Sequence, residues 1–160
     1  MPIHARLTLV AICGLAWWFF GNAYEAFVIS PNWVHESAEQ VGRLNTFFKV
    51  TSPTHYFVPI TPLATLLVWW LAWRNDEPSA KPYFMRASVL AVLATALNVL
   101  IVSTVILRLF GAENALSPEL THDLTVRWNY LNLCRIALVG AVISALFQAF
   151  RRLDRLTLPA

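Results

Sequence analysis

The chain reads as an all-α protein, a four-helix transmembrane bundle with an amphipathic interfacial helix between its first and second spans. Three observations carry that reading. Hydrophobic residues make up 58% of the 160, mean hydropathy is +0.56, and only 13% are charged, against roughly 25% in soluble domains. A crossing helix needs about 20 mostly apolar residues, and four such stretches follow one another here, near 5–29, 53–73, 83–110 and 122–150. The joints between them are short and polar, so one integral membrane domain covers residues 1–160 and no second domain is expected.

The first span extends from about Ala5 to Ile29, and Gly14, Trp18, Gly21 and Glu25 recur along one face at i, i+4, i+7 and i+11. Small residues on such a stripe let a neighbouring backbone approach, because helices in lipid associate by packing and hydrogen bonding. At about 25 residues the run exceeds the roughly 7–15 of a signal-peptide core and has no clear cleavage site, so it is retained as a helix. Ser30-Pro-Asn-Trp33 is expected to break it.

Between 32 and 50, Val34, Ala38, Val41, Leu44 and Phe48 are spaced as one apolar helix face, with His35, Glu39 and Arg43 opposite. Such a segment either lies flat at the interface, anchored by Trp33, Phe47 and Phe48, or folds over the mouth of the bundle. Thr51-Ser-Pro-Thr-His55 caps the second span; Pro59 and Pro62 fall in its first turns, and Trp69, Trp70 and Trp73 form an aromatic belt at its far end. The third span is alanine, valine and leucine apart from a few polar residues, of which Asn98 most needs a partner. Glu113 and Asn114 belong to the joint after it. Cys13 and Cys134 lie inside apolar spans and read as small buried residues, able to form a disulfide only if their helices touch at matched depth.

The fourth span opens with Arg127-Trp-Asn-Tyr-Leu-Asn-Leu-Cys-Arg135, the costliest stretch in the chain to bury. Trp128, Asn132 and Arg135 share a face at i, i+4 and i+7. With four spans both termini share a side. Seven lysines and arginines (Arg6, Arg74, Lys81, Arg86, Arg151, Arg152, Arg155) stand there against four opposite (Arg43, Lys49, Arg108, Arg127), which predicts cytoplasmic termini in a plasma, or inner, membrane. Asn22, Glu25, His55, Asn98 and the Arg127–Arg135 stretch then converge in the outer half of the bundle. At 1.5 Å per residue Arg135 sits roughly 12 Å inside a helix that starts near Arg127. Glu25 is expected to pair with Arg135 or Arg127, with Asn22, Asn98 and Asn132 completing the network and the Tyr24 and Tyr130 hydroxyls adding to it.

Several chemistries lack support. A Gly-rich phosphate loop, a GxSxG elbow and a CxxC pair are all missing, and the arginines cluster at span ends, where topology explains them without nucleic acid. His35, His55 and His122 share the outer side with Glu36, Glu39 and Asp123, yet only His35 and Glu39 stand at a ligand-like spacing, so no metal is expected.

At Arg127-Trp128, Leu131, Asn132 and Arg135 the chain resembles a family of small four-helix membrane proteins, mostly of undescribed function, that includes the anthrone oxygenases of polyketide pathways. The likeness in layout covers most of the chain, with weaker support from Val28-Ile-Ser-Pro31. The third span departs from the family's Asn-x-Pro-x-Asn pattern, having Asn98-Val-Leu-Ile-Val102. The resemblance implies an oxygenase without a tightly bound cofactor, acting on an electron-rich aromatic. Carbanion chemistry of that kind gives Glu25 or His55 the base role and Arg135 and Asn132 the anion-stabilising role, with Asn22, Asn98, Arg127 and Trp128 binding substrate. Two readings stand against each other: an enzyme or binder with a polar pocket for a small hydrophobic aromatic or quinone-like molecule that arrives through the lipid bilayer, and a non-catalytic subunit whose polar residues hold the bundle while its outer faces dock a second copy or another membrane protein. A transporter is disfavoured, because the sequence has neither internal repeats nor broken central helices.

Overall fold

A computed structural model describes residues 1–57, 59–111 and 116–156, and among them every regular element is helical. Helix α1 is Ile3–Val34, α2 Ser37–Phe47, α3 Pro53–Phe57, α4 Ile60–Arg74, α5 Lys81–Leu109 and α6 Pro118–Arg155. Helices α1, α5 and α6 are long and apolar enough to cross a membrane. Helix α4 has 15 residues, about 22 Å of helix and less than the roughly 30 Å hydrocarbon layer. Glu113 and Asn114 lie outside the described residues.

The four larger apolar helices pack in a ring: α1 against α4 and α6, and α5 against α4 and α6. At Gly14 a side chain on α1 would meet the Ala64 Cβ of α4 at 2.8 Å, so the glycine is what allows that approach. Away from the polar residues the interior is closed by Leu15, Val68, Leu71, Phe84, Val142 and Leu146 with many alanines. The outer surface is apolar too, with Phe20, Phe27, Leu63, Val89 and Val99 all exposed. That is the pattern of helices whose surroundings are themselves apolar.

The local structure corrects several expectations. Ser30-Pro31 does not end α1. Proline has no N–H and its ring crowds the preceding turn, and the helix widens into a π segment over Glu25–Ile29, in which Ser30 N–H bonds to the Glu25 carbonyl, then runs on to Val34. Asn32 Nδ2 donates to the Val28 carbonyl at 2.9 Å across the same stretch. The turn comes at His35, with extended backbone, and Glu36 in the left-handed region at φ 57°. The expected second span is two helices, since Pro59 stands as the N-cap of α4. Helix α6 begins earlier than His122: Ser117 Oγ accepts from Leu120 N–H at 3.2 Å and Pro118 takes the first turn, a serine-proline start. Cys13 and Cys134 are both free and exposed rather than buried.

Candidate functional site

The site is built on α6, whose 3.6-residue period puts Trp128, Asn132 and Arg135 on the face turned toward α1 and α5. Arg135 is 7% exposed and Asn132 fully buried. Three asparagine amides hold the guanidinium. Its Nη1 donates to Asn98 Oδ1 of α5 at 2.6 Å, its Nε and Nη2 donate to Asn132 Oδ1 at 3.1 and 2.6 Å, and Nη2 also donates to Asn22 Oδ1 of α1. The asparagines are fixed in turn: Asn22 Nδ2 donates to the Trp18 carbonyl at 2.7 Å and Asn132 Nδ2 to the Asn22 carbonyl at 3.2 Å. The guanidinium carbon lies 5.9 Å from the centre of the Trp18 ring, a cation–π contact. One arginine thus ties three helices together, its charge dispersed over neutral oxygens.

The expected carboxylate makes no direct ion pair with this guanidinium. Ion pairs join Arg43 with Glu39 and Lys81 with Asp76, and among the described residues none joins Glu25 to Arg135 or Arg127. Glu25, half-buried at the first position of the π segment, instead shares with Arg135 the wall of a cavity of about 380 Å³. Asn22 and Asn98 are at its polar end. Trp18, Trp33, Phe48, Phe57, Phe110 and Trp128 supply an aromatic lining, and Val102 and Ile106 come from the second π segment, Val102–Ile106 in α5. Both π segments therefore border the cavity, as such segments often do at functional sites. Trp33 and Trp128 lie 4.8 Å apart between ring centres, and Trp33 and Phe110 6.0 Å apart. Trp33 Nε1 and Thr61 Oγ1, on two lining residues, are buried without a hydrogen-bond partner. A shallower hollow over Arg43 and Phe47 lies on exposed α2, away from this cluster.

The structure brings Asn22, Glu25, Asn98, Trp128, Asn132 and Arg135 together and leaves two expected residues out. His55 is exposed on α3, its Nδ1 3.0 Å from Ser52 Oγ. Arg127 is exposed because one residue along a helix is a turn of about 100° away from Trp128. Tyr24 and Tyr130 also face outward. Of the histidines considered for metal, His55 and His122 have serine neighbours, His122 Nδ1 lying 3.2 Å from Ser37 Oγ on α2, and among the described residues no three His, Cys, Asp or Glu side chains come together.

Sequence reasoning missed Asn45, Ser52 and Thr61 as lining residues and took Trp33 for a surface anchor, whereas its ring is buried in the cavity wall. Its position one turn beyond Ile29 becomes informative only if the helix continues through Pro31. Comparisons with protein-family models, curated proteins and solved structures return no match.

Proposed function

We propose that this chain is a four-span integral membrane protein of the plasma membrane, with both termini cytoplasmic, whose cavity receives a small hydrophobic aromatic or quinone-like molecule from the bilayer. In this reading α3 and α4 together make the second of the four crossings, and the seven-to-four distribution of lysine and arginine sets the orientation. The observation that carries the proposal is that the polar residues around Arg135 border open space. A cluster serving only to fix helix register would gain from packing solid, while about 380 Å³ falls within the usual size of small-molecule sites.

The chemistry available is anion stabilisation beside a carboxylate. A ligand oxygen that gains negative charge is stabilised by Arg135 and its asparagine shell, and Glu25 is the base within the same cavity, a role His55 cannot share from the surface. In the oxygenase form of the reading, Glu25 takes a proton from an acidic C–H and the carbanion adds dioxygen. The resulting hydroperoxide loses water to leave a carbonyl. The resemblance at Arg127, Trp128, Leu131, Asn132 and Arg135 to the family that includes anthrone oxygenases supports this form, with no cofactor required. A second reading, a non-catalytic subunit of a larger assembly, draws on the way Arg135 is already satisfied by asparagines of its own chain.

Native mass spectrometry with metal analysis of gently solubilised protein decides between them, comparing wild type with folded Arg135→Ala and Glu25→Ala. A co-purifying small molecule that both variants lose is the expected result. An empty wild type carrying stoichiometric protein partners would overturn the pocket reading and make the arginine cluster structural.

A further inference from the structure

One wall of the cavity depends on a contact between two residues that hold no polar group. Phe57, the last residue of α3, lines the cavity and also packs into the apolar core. The edge of its ring occupies the space beside Gly21 on α1 that a β-carbon would fill; a methyl group there would overlap Cε1 and Cζ. Gly21 stands one turn from Trp18 and one from Glu25, both cavity residues. Tyr56, the neighbour of Phe57, is stacked on Trp17 of α1 at 4.7 Å between ring centres, which holds α3 against α1, and the ring is packed against the core on one side and borders the cavity on the other. The free direction is inward.

We propose that Gly21 and Phe57 set the size of ligand the cavity accepts, Gly21 acting as a notch that withdraws the phenyl ring from the space a ligand occupies. Gly21 touches no ligand in this arrangement; it is a positioning residue, and Phe57 is the specificity-determining surface. The proposal rests on the reading of the cavity as a ligand site.

The test is equilibrium dialysis of the full chain in detergent against two planar phenols, 2-naphthol with two rings and 2-hydroxyanthracene with three, each corrected for uptake by empty micelles. Wild type is expected to bind both. Gly21→Ala is expected to weaken the three-ring probe by about tenfold and the two-ring probe much less, since an inserted methyl forces the ring into the cavity. Phe57→Leu alone should shift selectivity the other way, and Gly21→Ala with Phe57→Leu should recover three-ring binding. A wild type that binds neither phenol overturns the ligand-site reading and this proposal with it. A wild type that binds both overturns the size control alone if Phe57→Leu leaves the ratio of the two affinities unchanged, or if Gly21→Ala weakens both equally. Because Phe57→Leu only shortens a side chain, it keeps the test decisive even where Gly21→Ala folds poorly.

Discussion

The two ends of the bundle are built by opposite rules. Toward the chain termini, α1, α4, α5 and α6 meet through alanine and branched aliphatic residues, and α1 and α5 keep regular helical geometry. Toward α2, helices α1, α5 and α6 meet through Asn22, Asn98, Asn132, Arg135 and tryptophan, and both α1 and α5 widen into π segments. Small side chains let helices close on each other and exclude space, whereas large aromatic side chains and a buried cation with three amides hold them apart. The dry end therefore supplies the rigidity, and the polar end supplies room.

The largest effect on stability is expected where nothing but packing is at stake. Phe84 is fully buried in the dry end, and Phe84→Ala should lower unfolding free energy in mixed micelles by about 3 kcal/mol or more through the cavity it leaves. Retention of a cavity ligand per folded molecule should be unchanged. Loss of ligand together with stability would show that the two ends are not independent.

Arg135→Met makes the complementary change. Removing the guanidinium strands the Oδ1 atoms of Asn22, Asn98 and Asn132, and the expected cost is about 2 kcal/mol, smaller than at Phe84 because amides can re-pair with each other. Ligand retention, in contrast, should disappear. Adding Asn98→Leu should recover part of the stability and none of the retention, since it removes one stranded acceptor without restoring the cation. Recovery of both would mean that Arg135 serves packing alone.

What the sequence disclosed follows the same division. The stripe Trp128, Asn132, Arg135 was readable from helical period, and Asn22 and Asn98 from depth along antiparallel helices, because a buried arginine has few polar partners at its own level. Depth, though, does not give rotation about the helix axis. His55 and Arg127 share the level but not the direction, and Glu25 shares the cavity but not a hydrogen bond with Arg135. Apolar periodicity, the usual guide to rotation, is weak here since lipid is as apolar as the core; Cys13 and Cys134 look outward for that reason. The first π segment is hidden because Pro31 reads as a stop, when a change of helical pitch can accommodate it; the second, Val102–Ile106, carries no proline and no sequence signal marks it.

The smallest effect is expected at the seam between the polar end and the helix that covers it. Helix α2 bends over the cavity after the left-handed turn at Glu36, contributes Asn45 to the lining, and is followed by Phe48, which lines it too. Ser37 Oγ holds its start, within 3.2 Å of both His122 Nδ1 and Thr125 Oγ1 on α6 and 3.3 Å of the Val34 carbonyl. Thr125 keeps a second bond to the His122 carbonyl at 2.8 Å, so removing the serine hydroxyl leaves little stranded, and Ser37→Ala should cost under about 1 kcal/mol. The change should be local: hydrogen exchange should quicken over Ser37–Phe47 while the amides of α5 and α6 keep their protection. If α2 instead anchors the whole polar end, protection around Asn132 and Arg135 will fall in parallel. In that case α2 is a structural part of the site and cannot open independently of it.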